Sequence, residues 1–176
     1  VSYNPANIPA GYRFVCSSPC VGLLEPLSSD DETLMTGTIR DPIGISSNNF
    51  ADGGVLADNF MDSRNPTCAE NNDFPHLAWT SAPWGTKSFV LIVEDTSNAD
   101  FVHLNLYNIA ASETKIDFIA AVGGAVTFAS GTEGLNGYSE PGWGGPCPAS
   151  GSGVHTYKFK IYAMDSVVPA INNIST

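Results

Sequence analysis

The alternation of hydrophobic and polar positions predicts a chain built mainly of short β-strands. Residues 88–93 are β-rich and apolar on both faces, which indicates a central strand that is covered on both sides. In the next strand, 102–109, Val102 and Leu104 share one face and His103 and Asn105 the other. Strand-type periodicity marks four segments: 77–79, 88–93, 102–109 and 155–164. Helix signals are weak throughout.

The hydrophobic pattern also divides the chain. Residues 1–40 show no regular periodicity and carry prolines that interrupt any helix, so we predict an irregular N-terminal arm, with a single domain over 41–176. A glycine-rich tract at 131–153 is too long for a simple hairpin loop, and loops of that length are usually functional. An arm of this kind suggests one alternative role, a surface or assembly component.

Composition and charge narrow the classes of partner. Glycine (17) and proline (12) are plentiful, which suits many strands joined by turns. Acidic residues outnumber basic ones, 18 to 7, giving a net charge of −11, so a nucleic acid or an anionic membrane surface is a poor partner. The most apolar stretch, 118–129, is interrupted by two glycines and is shorter than the roughly 20 residues of a membrane span. We therefore predict no transmembrane segment.

The four cysteines indicate an oxidising compartment. They lie at Cys16, Cys20, Cys68 and Cys147, without the paired spacing of a zinc site, and three disulfide pairings are possible. We favour a local Cys16–Cys20 link and a long Cys68–Cys147 link, with free buried thiols as the alternative. By the chain-entropy model the long loop contributes about 4.5 kcal/mol and the short one about 2 kcal/mol. The chain opens on Val1, which is typical of a processed start, so we expect a secreted, periplasmic or cell-surface protein.

Three polar residues at strand ends suggest a binding pocket. Asp95 lies where a buried strand gives way to a loop, and His103 and His155 lie near the starts of the two later strands. A carboxylate beside an imidazole orients the ring and favours its protonated form, and two imidazoles that face one space form an anion site. The alternative for each histidine alone is an ordinary hydrogen-bonded core or surface residue.

The second candidate element is the loop 143–148, which contains Gly144, Gly145 and Pro146. Adjacent glycines let backbone N–H groups approach a ligand closely, and a turn of such groups can cradle an anion. The prolines and the expected disulfide would hold that loop in place before a ligand arrives. An ordinary rigid turn is the alternative.

Seven motifs resemble the phosphatidylethanolamine-binding protein family, in particular its bacterial and archaeal Raf-kinase-inhibitor-like branch. They follow the family's order over about residues 45–165: 50–54 (FADGG), 72–79 (NDFPHLAW), 83–89 (PWGTKSF), 102–103 (VH) with 107–109 (YNI), 144–148 (GGPCP), 153–157 (GVHTY) and 161–165 (IYAMD). The resemblance implies a mainly β fold in which a large antiparallel sheet packs on a smaller sheet, with few short helices.

The resemblance also implies a pocket for phosphate or phosphorylated head groups. Residues that match the family's pocket positions are Asp95, His103, Gly145, Pro146, His155 and Tyr157. Some positions depart from the family pattern: Ser97 stands for the second aspartate of its Asp-Pro-Asp motif, Leu104 for a tryptophan and Thr156 for an arginine. Loss of a carboxylate should ease anion entry, whereas loss of the arginine removes a fork of donors.

These observations predict an exported binding protein for phosphate, or for a phosphorylated or lipid head group, with no cofactor and no metal. In that protein the two histidines would donate to the ligand, Asp95 would orient them, Tyr157 would form a wall and the Gly145-Pro146 backbone would cradle the anion. An alternative is a secreted inhibitor of proteases or kinases, whose proline-rich loop at 141–148 would meet a protein partner. We do not expect an enzyme, because no serine lies in a G-x-S-x-G elbow and a Ser97–His103 pair has little support.

Overall fold

The computed structural model describes residues 43–68, 70–80, 82–99 and 101–167, together with the backbone of three strands near the N-terminus. Those strands are β1 (Ser2–Tyr3), β2 (Tyr12–Ser17) and β3 (Val21–Pro26), and they form an antiparallel sheet in the order β1-β2-β3. The sequence suggested an irregular arm here. Its prolines exclude a helix, but proline is tolerated at the end of a strand, where Pro26 lies. The domain division at residue 40 stays a prediction.

Two antiparallel sheets make up the rest of the fold. A four-stranded sheet has the order β10-β6-β7-β9, and a three-stranded sheet has the order β4-β5-β8. The strands are β4 (Ile45–Ser46), β5 (Leu77–Trp79), β6 (Ser88–Asp95), β7 (Phe101–Ala110), β8 (Lys115–Ile116), β9 (Thr132–Glu133) and β10 (Tyr157–Met164). One short 3-10 turn, Asp58–Phe60, is the helical element of the described residues. This architecture confirms the predicted fold.

The core lies between these two sheets. Trp79 of β5 meets Phe89 of β6 edge to face, with 5.5 Å between ring centroids, and this contact joins the small sheet to the large one. Leu91 and Leu104 are fully buried, and burial of each such side chain stabilises the fold by about 1.5–3 kcal/mol. Residues 103–107 of β7 are buried on both faces, whereas the sequence suggested one apolar and one polar face. The face that carries His103 is therefore covered by other parts of the chain.

Antiparallel pairing brings three strand ends together. β6 lies between β7 and β10, and at its last residue Asp95 pairs with Phe101 of β7 and with Tyr157 of β10. The end of β6 is thus flanked by the starts of both neighbours. His103 is two residues into β7 and His155 is two residues before β10, so both histidines lie at this edge of the sheet.

A disulfide ties two distant loops together. Cys68 and Cys147 are bonded, with 5.9 Å between their Cα atoms and a sequence separation of 79 residues, so the predicted long link is confirmed. The predicted Cys16–Cys20 link lies outside the described side chains. Within the described ranges, no helix has both the length and the apolar character needed to cross a bilayer.

Candidate functional site

His155, which we call the outer histidine, is held by a buried carboxylate. Its Nδ1 lies 2.6 Å from Oδ2 of Asp95, and the Asp95 residue is only 3% exposed. The other carboxylate oxygen of Asp95 accepts a hydrogen bond of 2.9 Å from the backbone N–H of Ser97. Both oxygens are therefore occupied, and the carboxylate fixes the orientation of the imidazole ring, as the sequence predicted.

His103, the inner histidine, is held differently. Its residue is 3% exposed, and Nδ1 lies 2.7 Å from the backbone carbonyl oxygen of Gly144. Because a carbonyl only accepts, Nδ1 carries the hydrogen and Nε2 of the neutral ring is left as an acceptor. Burial lowers the pKa of His103 below its ordinary value, although the Gly144 carbonyl and the charges of Asp95 and Asp62 oppose that shift. At neutral pH Nε2 of the ring can therefore accept a hydrogen bond, which differs from the donor role that the sequence suggested.

Tyr157 connects the two histidines. Its ring centroid is 5.4 Å from that of His103, in an edge-to-face arrangement, and 6.5 Å from that of His155, in a stacked one. Its hydroxyl is buried and has no hydrogen-bond partner among the described residues. Burial first, and then the charge of Asp95, raise the pKa of Tyr157, so the phenol stays protonated. The structure thus brings together Asp95, His103, His155 and Tyr157 as the sequence predicted.

The glycine loop adopts a role that corrects one expectation. The N–H of Gly144 donates to the carbonyl of His103 at 3.0 Å, and the N–H of Gly145 donates to Oδ1 of Asn72 at 2.7 Å. Pro146 has no N–H, and its carbonyl accepts from Asp62. These backbone groups are already paired, so the loop forms a wall beside His103 rather than an anion cradle. Residues 142–146 are also buried, which leaves little of this loop exposed to a partner protein.

A charged group that the sequence analysis missed lies beside this wall. Asp62 is 4% exposed and accepts hydrogen bonds from the side chain of Arg64 at 2.9 and 3.1 Å. Arg64 also forms an ion pair with Glu140, and its guanidinium carbon lies 5.0 Å from the ring centroid of Tyr138. Tyr138 in turn contacts His103. Asp62 and Arg64 are close in sequence, but only the folded chain brings them to Glu140 and Tyr138.

The remaining candidate groups do not form a site in the described part of the chain. Ser97 Oγ accepts a hydrogen bond from the backbone N–H of Thr156 at 3.0 Å, so the Ser97–His103 pair considered from the sequence finds no support in this geometry. Leu104, at the position of the family's tryptophan, is fully buried in the core. Among the residues that the structure describes, no three His, Cys, Asp or Glu side chains are grouped closely enough to hold a metal ion.

The two-sheet fold, with a cluster of polar side chains at converging strand ends, defines a class of small β-sheet protein. The family model described as phosphatidylethanolamine-binding protein matches residues 46–175. The chain therefore belongs to the phosphatidylethanolamine-binding protein family, as its motifs indicated. Family membership supports a ligand-binding protein.

Individual relatives agree with that assignment. The chain is 36% identical over 104 residues to a UPF0098 protein of Aquifex aeolicus and 32% identical over 113 residues to the UPF0098 protein YbcL of Escherichia coli. The alignments cover 56% and 61% of this chain, and they span only 57% and 62% of those relatives' length.

Solved structures show the same fold. The crystal structure of E. coli YbcL, described as a new member of the mammalian PEBP family, superposes with a TM-score of 0.65 at 28% identity. That comparison covers 76% of this chain and 83% of YbcL. A phosphatidylethanolamine-binding protein homolog from Chlamydia trachomatis gives a TM-score of 0.61 at 25% identity, covering 76% of this chain and 82% of that one.

Proposed function

We propose that this chain is an exported binding protein whose pocket takes a small phosphate-bearing ligand, either free phosphate or a phosphorylated head group. The ligand would lie at the edge where β6, β7 and β10 meet, between the inner and outer histidines. The observation that carries the proposal is the Tyr157 hydroxyl, which is buried beside both imidazoles without a hydrogen-bond partner among the described residues.

An unpaired buried hydroxyl is costly, because it has lost its hydrogen bonds to water without replacement. Its raised pKa keeps the phenol protonated, so it can donate to a ligand oxygen. His103 complements that donor, since the Nε2 atom of its neutral ring accepts a hydrogen bond. A phosphate group that carries one proton has both an oxygen to accept and a hydroxyl to donate, so it matches this pair.

The local charges are compatible with an anion. Asp95 is paired with His155 and with the Ser97 amide, and Asp62 is paired with Arg64. Each buried carboxylate therefore has its own hydrogen-bond partners. The Arg64 guanidinium, stacked on Tyr138, offsets part of the negative charge of Asp62 and Glu140 next to the wall of the pocket.

Export is supported by the Cys68–Cys147 disulfide. Such bonds persist in secreted, periplasmic and surface proteins and are rare where thiols are kept reduced. A secreted, periplasmic or cell-surface location is therefore part of the proposal.

Titration with phosphate and phosphoethanolamine, followed by NMR of the histidine ring protons, tests the pocket. We expect His103 and His155 to shift with one dissociation constant. His76 serves as an internal control, because it lies in another loop, where its Nδ1 accepts from the Asn48 amide, and it should not move. Affinity should rise as the pH falls below neutrality, because protonation of His103 turns Nε2 into a donor for the anion. Unmoved inner and outer histidines at millimolar ligand would contradict the proposal.

A matched pair of variants isolates the hydroxyl. Tyr157→Phe removes one hydrogen bond to a charged group, so we expect phosphate affinity to fall about tenfold. Tyr162→Phe removes a hydroxyl from the same strand at a position that is 42% exposed, and it should leave affinity unchanged. If both variants bind phosphate as tightly as the unsubstituted chain, the Tyr157 hydroxyl does not contact the ligand.

A further inference from the structure

A chain of three side chains leads from the buried edge of the sheet to the surface. Asp95 Oδ2 lies 2.6 Å from His155 Nδ1, and His155 Nε2 lies 2.8 Å from Oγ of Ser152. The order carboxylate, imidazole, hydroxyl is the arrangement in which a histidine accepts the proton of a serine while the carboxylate holds the ring. Because Asp95 accepts at Nδ1, Nε2 of the neutral ring is free to receive that proton.

The turn around Ser152 is open and narrow. Gly151 and Gly153 flank the serine with φ of +83° and +87°, and a Cβ atom at either glycine would meet nothing within 4 Å. Ser152 is exposed, and Val154 is 96% exposed beside it. Ser152 Oγ also lies 2.7 Å from the carbonyl oxygen of Ala149. One hydroxyl hydrogen cannot serve both that carbonyl and His155 Nε2, so the hydroxyl must turn from Ala149 toward the imidazole before its proton can be transferred.

We infer that Ser152 is a nucleophile, activated by His155 and positioned by Asp95, that accepts the acyl group of small carboxylic esters. Ser152 Oγ forms a bond to the ester carbonyl carbon, and the serine proton passes to His155 Nε2. The bond from that carbon to the alcohol oxygen breaks, and the alcohol leaves with the proton. Water then attacks the acyl-serine by the same route, which releases the acid and restores the hydroxyl. Asp95 stabilises the imidazolium that forms in each half.

Backbone donors are present for the charge that develops on the ester oxygen. The N–H groups of Gly153 and Val154 directly follow the serine and make no hydrogen bond within the described part of the chain. In other serine hydrolases the amide after the nucleophile contributes to the oxyanion hole. The open turn and the exposed Val154 side chain suit short acyl groups. His155 and Asp95 belong to both proposed sites, but Ser152 lies outside the proposed phosphate contacts, so Ser152 variants test this inference separately.

Covalent labelling tests the inference directly. An alkyl fluorophosphonate reacts with an activated serine by forming an Oγ–phosphorus bond with loss of fluoride, and intact mass with peptide mapping locates the adduct. We expect one adduct on the unsubstituted chain, at Ser152, and none on Ser152→Ala. Ser150→Ala is the matched control, because Ser150 is an exposed serine in the same loop and should label fully. Hydrolysis of p-nitrophenyl acetate should follow the same pattern.

The positioning role of Asp95 has its own readout. Labelling and ester hydrolysis by the unsubstituted chain should share one pH profile, and Asp95→Asn should slow labelling at least tenfold and change that profile. Since Asp95 is buried, His155→Gln provides a second variant at a more accessible side chain, and we expect the same loss. Labelling of the unsubstituted chain no faster than Ser152→Ala, or adducts spread evenly over Ser150 and Ser152, would overturn the inference. Phosphate binding is measured separately, so its failure is distinguishable from this one.

Discussion

The inner and outer histidines lie at the same edge of one sheet and are used in opposite ways. His103 donates to a backbone carbonyl and is buried among aromatic rings, and this burial lowers its pKa and keeps the ring neutral at neutral pH. His155 lies at the rim between a buried carboxylate and a serine hydroxyl. The comparison teaches that burial and the partner of Nδ1 together set what Nε2 can do. Burial leaves Nε2 of His103 an acceptor at neutral pH, whereas the Asp95 carboxylate orients the His155 ring so that its Nε2 faces the Ser152 hydroxyl.

The largest expected effect comes from the disulfide behind the inner histidine. Replacing Cys68 and Cys147 together by alanine should lower the free energy of unfolding by about 2–5 kcal/mol, since a loop of this length gains most from cross-linking. Cys147 follows the Gly144-Gly145-Pro146 wall, so the ring protons of His103 should shift more than those of His155. Urea unfolding and NMR measure the two effects. A loss below about 1 kcal/mol, or equal shifts of both rings, would contradict this account.

Glycine substitutions test the difference in packing between the wall beside His103 and the turn around Ser152. A Cβ atom on Gly145 would contact the Phe60 carbonyl and lie 2.6 Å from Asn72 Oδ1. The backbone there cannot move without strain, so Gly145→Ala should lower the free energy of unfolding by about 3 kcal/mol. Gly151, in the outer turn, has open space and only its positive φ to oppose a side chain, so Gly151→Ala should cost about 1 kcal/mol. Denaturant midpoints measure both, and a reversed order would be inconsistent with the packing described.

The smallest effect is a pH dependence that belongs to the inner histidine. His103 titrates near 6.5 in the unfolded chain, and burial lowers its pKa in the folded one. As the pH falls below 6.5, the unfolded chain binds the proton before the folded chain does. The stability contributed by the neutral His103 ring is therefore complete above pH 6.5 and is lost as the pH falls through the lowered pKa of the folded chain.

Thermal unfolding between pH 7 and pH 5 checks this expectation. His103→Asn keeps a donor for the Gly144 carbonyl and removes the titrating ring, so its melting temperature should fall less over that interval than that of the unsubstituted chain. The other titratable groups are present in both chains, so the difference between the two slopes reports chiefly on the His103 ring. Identical slopes would show that His103 is not the group responsible.

Much of the fold follows from local pattern. The apolar run at 88–93 and the alternation at 102–109 and 155–164 locate the strands of the large sheet to within a few residues, because burial on one or both faces imposes the period of the side chains. The strands within 12–26 were not predicted, because the prolines there were interpreted only as evidence against a helix. The polar face of β7 is covered by loops that are distant in sequence, so no local pattern predicts its burial.

The site was predictable where strand ends determine it. Antiparallel pairing places Asp95 opposite Tyr157, so the carboxylate, Tyr157 and both histidines share one edge. The roles within that edge were not predictable. The Gly145 amide is taken by Asn72, and the Ser152 hydroxyl meets a ring whose carboxylate partner lies more than fifty residues earlier in the chain. Hydrogen-bond partners of this kind are set by tertiary geometry, which a linear motif does not encode.

Asn72 has a consequence for how this protein can vary. Its side-chain amide donates to the Gly124 carbonyl at 2.7 Å and accepts from the Gly145 amide, while its own backbone adopts a φ of +64°. One side chain thus clamps both ends of the tract between those glycines, much as a neighbouring peptide group would. The tract between these anchors also contains β9, which pairs with β7, and Tyr138, which contacts His103. Length variation should therefore be tolerated between the Gly124 anchor and β9, where it can remodel the outer surface while the wall beside His103 keeps its position.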